Sequence, residues 1–279
     1  MRHHYNIISA AILSLASVSA PAGAEQPAES RALSYSDIAD SVSVAPIVAV
    51  GKIVKAKRLR GDLATNVPEG RTRFLVTVKL SALLRGADGL PERIEYLYDS
   101  AADRNGRPPK LTKGKVVLAG APVPGDPASI QLVSPRAQMD WTETVEATAR
   151  EIVTEAVAPG APPRITGVGN AFHVRGSLPG ESETQIFLKT VDDQPVSLNV
   201  LRRPGEDVQW AAALGEMIDD SAKPPERNTL LWYSLACFLP PDLPPASVAS
   251  LDVADAIAAS TDYRFVIEAL GPCGRTPLP

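Results

Sequence analysis

Two hydrophobic periods divide the chain. Over residues 72–80 the pattern alternates, with Phe74, Val76, Val78 and Leu80 on one face and Arg73, Leu75, Thr77 and Lys79 on the other, the signature of a half-buried strand. A β-branched run, Ile47 to Val54, lies before it within residues 45–59, and shorter apolar segments follow at 94–98, 116–119 and 129–133. Turn clusters at Arg85-Gly86-Ala87-Asp88-Gly89 and Asp103-Arg104-Asn105-Gly106-Arg107 separate them. Short strands at this spacing predict a small barrel or sandwich over residues 34–136, entered through a helical turn capped within Ser36–Asp40.

The period then changes. From Trp141 to Val157, Glu143, Glu146 and Arg150 recur at helical spacing, and Val145, Ala149, Ile152 and Val153 mark another face. Ala158-Pro159-Gly160-Ala161-Pro162-Pro163 stops this helix, so residues 137–163 read as a helix and Pro-rich linker with a domain boundary. Beyond it, 165–174, 184–191, 195–202 and 208–218 read as consecutive strands joined by turns at 191–195 and 203–207. The apolar run 229–237 reads as a strand rather than a helix. Residues 252–259 suit a helix, and 263–270 either extend it or form a strand. The expectation for 164–279 is an antiparallel β-sandwich with a C-terminal helix. The fold class is therefore mainly β.

The first residues carry a different signal. A basic start, Met1-Arg2-His3-His4, leads into an apolar run from Ile7 to Val18, and then Ala20-Pro21-Ala22-Gly23-Ala24. Small residues at Ala22 and Ala24 fit a signal peptidase, and the run is shorter than the roughly 20 residues a membrane-spanning helix needs. Residues 1–24 are expected to be a signal peptide. The product would be periplasmic, with secretion left open, and no later stretch is apolar enough to span a membrane.

Composition narrows the function. The formal net charge is −4 over 279 residues, and losing the leader removes Arg2 but no acid. A mildly acidic chain lacks the general excess of Lys and Arg that releases counterions from nucleic acid, so no nucleic-acid partner is expected. Aromatic residues make up 5% of the chain, which leaves core packing to aliphatic side chains, and its 26 prolines argue against a helical bundle. Cys237 and Cys273 are an even pair in an exported chain, which implies one disulfide, with two buried thiols as the alternative.

The first half also resembles a known architecture. It has an opening strand with a glycine kink at Gly51 and a Val-rich strand ending in Leu83-Leu84-Arg85-Gly86. A short strand follows, then Leu111-Thr112-Lys113-Gly114-Lys115-Val116-Val117-Leu118. This order resembles an exported OB-like barrel of the netrin-module type, without that family's cysteines. The resemblance implies an OB-like barrel but no activity. The whole chain resembles exported alphaproteobacterial proteins of undefined activity.

Candidate chemistry is sparse. His173 is the single histidine outside the leader, its neighbours Phe172 and Val174 belong to a strand, and no G-x-S-x-G elbow accompanies it, so it reads as a half-buried structural histidine. One His and two paired Cys do not make a zinc site. Asp99, Asp103, Asn105 and Gly106 lack the regular spacing and distal Glu of a calcium loop. Gly167-Val168-Gly169 lacks the third glycine and strand–helix setting of a dinucleotide fingerprint. No cofactor is expected. Glu181/Glu183, Asp192/Asp193 and Asp219/Asp220 are the carboxylate pairs open to acid–base hydrolysis.

The densest feature is Lys52-Ile53-Val54-Lys55-Ala56-Lys57-Arg58-Leu59-Arg60, with Arg71 and Arg73 soon after, and Arg202-Arg203 as a weaker pair. Lys52, Lys55, Lys57, Arg58 and Arg60 are candidate partner-binding residues for an envelope protein or an anionic polymer; the alternative is a solvated edge strand kept from aggregating by its lysines. The functional expectation is an exported binding or accessory module, against a periplasmic hydrolase using acidic residues or a small-molecule carrier.

Overall fold

Five of the strands close on one another. They are β1 (Ile47–Arg58), β2 (Arg71–Arg85), β3 (Arg93–Ala101), β4 (Lys115–Val123) and β5 (Asp126–Leu132). The order is β1-β2-β3-β5-β4, and β1 pairs with β4 to complete an OB-like barrel. The chain is described by a computed structural model over residues 1, 32–86, 89–103, 105–215 and 223–277. The expected signal peptide thus lies almost wholly outside the described residues, as do Asp219 and Asp220.

Alternation builds the barrel core as expected. Phe74, Val76 and Val78 point inward against Ile53, Ile94, Val116 and Leu118. β1 serves two neighbours, so it must bend. It does so at Gly51, which pairs with Leu80 of β2 and Val116 of β4. A Cβ there would sit 2.7 Å from the Lys79 carbonyl oxygen, closer than real side chains approach backbone. The barrel's weak seam is the parallel β3–β5 contact, a single pair between Glu95 and Ser129. A short strand β6 (Gln138–Asp140), not foreseen from sequence, continues on β4.

Two helices pack beside the barrel. Helix α1 (Tyr35–Val42) is capped by Ser34, whose hydroxyl accepts from the Asp37 amide while the Asp37 carboxylate accepts from the Ser34 amide. Helix α2 (Glu143–Val157) starts at Thr142, whose hydroxyl accepts from the Val145 amide. It buries the face formed by Val145, Ala149, Ile152 and Val153. Its Glu146 reaches Arg150 at 2.7 Å and Lys115 of β4 at 3.4 Å. Hydrogen bonds from Trp141, Arg150 and Lys115 outweigh burial and hold Glu146 down at about 2.

The second half is an antiparallel sheet ordered β10-β9-β8-β7, from β7 (Ile165–Arg175), β8 (Ser182–Thr190), β9 (Val196–Arg202) and β10 (Gln209–Leu214). Helices α3 (Leu230–Phe238) and α4 (Val253–Leu270) pack against β7, and α4 also meets β8. The run 229–237, expected to be a strand, is helix α3. Leu230, Trp232, Tyr233 and Leu235 are all buried, so its apolar residues occupy more than one face and periodicity cannot distinguish strand from helix. The deciding local signal is Thr229, whose hydroxyl accepts from the Trp232 amide at 3.3 Å as an N-cap. Residues 263–270 continue α4 to Leu270, where Gly271, with φ 68°, turns the chain.

Beyond the barrel's own core, the two sides of the expected boundary at 158–163 share apolar packing. One apolar cluster runs from Val48, Val50 and Ala119 of the barrel through Ala149 and Ile152 of α2 to Ile186, Leu198 and Tyr263. From Leu33 onward the chain is one compact unit. Cys237 of α3 and Cys273 form the expected disulfide, with Cα atoms 4.9 Å apart, although Cys237 lies on a helix. Among the described residues no helix is long and apolar enough to cross a membrane.

Candidate functional site

The basic strand is β1. Its register sets Lys52 opposite Lys79, Lys55 opposite Thr77, Lys57 opposite Leu75 and Arg58 opposite Phe74. β3 extends the rows, pairing Lys79 with Arg93, Thr77 with Glu95 and Leu75 with Leu97. Lys52, Lys55 and Lys57 therefore share the outer face of the barrel with Lys79, Thr77 and Leu75: Lys55 and Lys57 are two residues apart, and a register shift between Ile53 and Lys55 brings Lys52 onto the same face. Arg58 and Arg60 lie at the strand's far end, and all five are exposed.

None of these five cations makes an ion pair among the described residues, whereas neighbouring charges are matched. Lys79 meets Glu92 at 2.8 Å. Arg73 grips Asp99 with Nε at 2.8 Å and Nη2 at 2.7 Å. That bond raises the Arg73 pKa further. Arg71 donates to the Asp99 carbonyl at 3.2 Å. Arg71 and Arg73 thus belong to a β2–β3 brace and add little free charge. Beside them, where β3 and β5 diverge, lies a groove of about 630 Å³ lined by Leu75, Leu97, Tyr98 and Ser129.

The histidine sits in a different setting. His173 of β7 is opposite Thr184 of β8, which is opposite Val200 of β9. One step along the same face, Arg175, Ser182 and Arg202 form the next row. Asp262 of α4 covers both rows. Thr184 donates its hydroxyl to Asp262 Oδ2, His173 Nδ1 lies 2.8 Å from the Thr184 oxygen, and Arg202 Nε donates to Asp262 Oδ1 at 2.6 Å. The side chains of His173 and Asp262 are 5% and 2% exposed, so the histidine is more buried than expected, and it is hydrogen-bonded. It still lines a cleft of about 530 Å³ with Arg202, Asp262 and the rim residues Gly176 to Glu181.

Thr184, Asp262 and Arg202 were not singled out as partners of His173 from sequence. They come from three elements, with Asp262 separated from Thr184 by 78 residues and from Arg202 by 60. The Arg202-Arg203 pair is not a basic patch either, because Arg202 is held by Asp262 and Arg203 lies 3.9 Å from Glu206.

The remaining motifs resolve into local structure. Asp103 accepts from the amides of Asn105 and Arg107 at 2.9 and 2.8 Å, an Asx-type turn. Gly167-Val168-Gly169 falls at irregularities of β7, inside a strand. Asp192, Asp193 and Glu183 are exposed, and Glu181 accepts from the Leu178 amide at 3.2 Å. No described carboxylate pair converges on His173.

A third cleft, of about 690 Å³, lies beside α1 and α3 and is lined by Val44, Arg164, Tyr233, Phe238 and Arg275. Its edge is closed by a C-terminal strap. Arg275 makes two 2.7 Å bonds to Asp40, which also accepts from the Tyr233 hydroxyl at 2.6 Å. Compared with protein-family models and with curated proteins, the chain matches none.

Proposed function

We propose that the protein is an exported envelope binding module whose barrel uses the outer face of β1 to hold an anionic polymer. The observation that carries this reading is the run of five exposed cations, Lys52, Lys55, Lys57, Arg58 and Arg60, without an acidic partner among the described residues. Lys55 and Lys57, two residues apart on the outer face, lie about 6.8 Å from each other, with Lys52 on the same face and Arg58 and Arg60 at the strand's end, a cluster suited to a chain of repeating negative charges. Their attraction acts over roughly 8–10 Å at moderate ionic strength. An edge strand protected by lysine needs only scattered charge, and β1 is paired on both sides from residue 48 to residue 52, which weakens the purely protective explanation for Lys52.

For a hydrolase, the acid pairs Asp192/Asp193 and Glu181/Glu183 do not converge on His173 among the described residues. The test is retention of the purified protein on a dextran sulfate matrix, against a variant with Lys55, Lys57, Arg58 and Arg60 replaced by Ser. Loss of retention supports the reading, and equal retention removes β1 from it.

A further inference from the structure

The hydrogen bonds around Thr184 fix the state of His173. A threonine hydroxyl has one proton, and here it goes to Asp262 Oδ2. Toward His173 the Thr184 oxygen can then only accept, so Nδ1 carries the proton and donates across 2.8 Å. In the neutral ring the lone pair is left on Nε2. That nitrogen makes no hydrogen bond among the described residues, although the His173 side chain is 5% exposed and lines the cleft.

Arg202 is held in a complementary way. Its Nε is committed to Asp262 at 2.6 Å, and both Nη groups are without a partner among the described residues. One buried carboxylate, Asp262, thereby ties together two residues that line the same cleft, His173 with Nε2 unengaged and Arg202 with its Nη groups unengaged among the described residues. A guanidinium fork matches a carboxylate, which it binds through paired hydrogen bonds. An imidazole lone pair matches a hydroxyl.

We infer that the cleft between α4 and the β7–β8–β9 face binds a small hydroxy-carboxylate, its carboxylate on Arg202 and a neighbouring hydroxyl donating to His173 Nε2. The cleft, about 530 Å³, lies within the range of small-molecule sites. The other charges at its rim are engaged. Arg175 reaches Asp255 at 2.5 Å and Asp252 at 3.7 Å, and Glu181 accepts from the Leu178 amide at 3.2 Å. The acids that line the cleft, Glu181 and Asp262, disfavour a ligand with more than one negative charge. This inference does not depend on the basic strand.

The test uses the full chain with His3 and His4 replaced by Gln, so that His173 gives the only imidazole signals. Long-range ¹H–¹⁵N spectra of the neutral ring should show a protonated Nδ1 and an unprotonated Nε2. D-glucuronate should move the Nε2 resonance, while glucose and acetate at the same concentration leave it in place. Arg202→Lys keeps a cation for Asp262 but loses the fork, and should weaken the glucuronate response at least tenfold with the tautomer unchanged. The four-serine β1 variant should respond like the parent. A protonated Nε2 in the neutral ring, no response to glucuronate, an equal response to acetate, or an undiminished response in Arg202→Lys would each overturn the inference.

Discussion

Thr276 closes on Asp37 with two hydrogen bonds, its amide donating to Oδ1 at 2.8 Å and its hydroxyl to Oδ2 at 2.7 Å. Two hundred and thirty-nine residues separate the pair, so the contact ties the last described segment to the first helix. Ser36 donates to the Cys273 carbonyl at 2.6 Å, and Arg136 to that of Thr276 at 2.7 Å. The strap holds α1 against the core by polar contacts whose strength depends on pH.

Asp37 should make stability fall in acid. Its burial pushes the carboxyl pKa up, but hydrogen bonds from Thr276 and Ser34 outweigh this and hold it below the ordinary 3.8. A depressed folded-state value contributes stability that is complete above the unfolded value and is lost as pH drops through the folded one. Thermal unfolding between pH 7 and pH 2.5 should show a decline beginning below about pH 5. Asp37→Asn should cost about 1–3 kcal/mol at neutral pH and flatten part of that decline. An unchanged acid profile in the variant would remove Asp37 as a source.

Reduction of Cys237–Cys273 should loosen the same strap. The bond closes a separation of 36 residues, worth about 4 kcal/mol on the chain-entropy model. Denaturant unfolding with and without reductant measures the difference. A loss below about 1 kcal/mol would mean that the polar contacts hold the strap unaided.

Ile152 is fully buried in the cluster that joins barrel and sheet. Ile152→Ala should cost about 2–5 kcal/mol and leave one cooperative transition, followed in parallel by Trp fluorescence and far-ultraviolet dichroism. Two separated transitions would show that the halves have independent cores after all.

Gly51→Ala should destabilise the barrel by about 1–3 kcal/mol, because the added methyl meets the Lys79 carbonyl. A neutral effect in denaturant titration would show that β1 can bend without glycine.

Much of this fold was legible because the periods were clean. Phe74, Val76 and Val78 alternate and face the barrel core, and Val145, Ala149, Ile152 and Val153 mark α2's buried stripe. The run 229–237 was misread because Leu230, Trp232, Tyr233 and Leu235 are all buried, which erases the polar face that period analysis needs. The shared core across 158–163 was invisible for another reason. Prolines stop a helix locally, but they say nothing about whether the segments they join pack together.

The candidate sites divide in the same way. Lys52 to Arg60 stands out because charge density within one strand is a local property. Even there, the loss of Arg73 to Asp99 required knowing that β2 and β3 are paired. The His173–Thr184–Asp262–Arg202 arrangement has no local signature. It arises from the β7–β8–β9 register and from α4 lying across it, and sequence fixes neither directly.

The salt dependence of dextran sulfate binding tests the central claim most directly. The parent protein should bind at low ionic strength and weaken steadily as salt is added. Replacing Lys55, Lys57, Arg58 and Arg60 by Ser should lower affinity roughly 30-fold, at about 0.5 kcal/mol for each exposed cation, and flatten the salt response. Equal affinity and an equal salt slope in parent and variant would contradict a polymer-binding role for the basic face of β1.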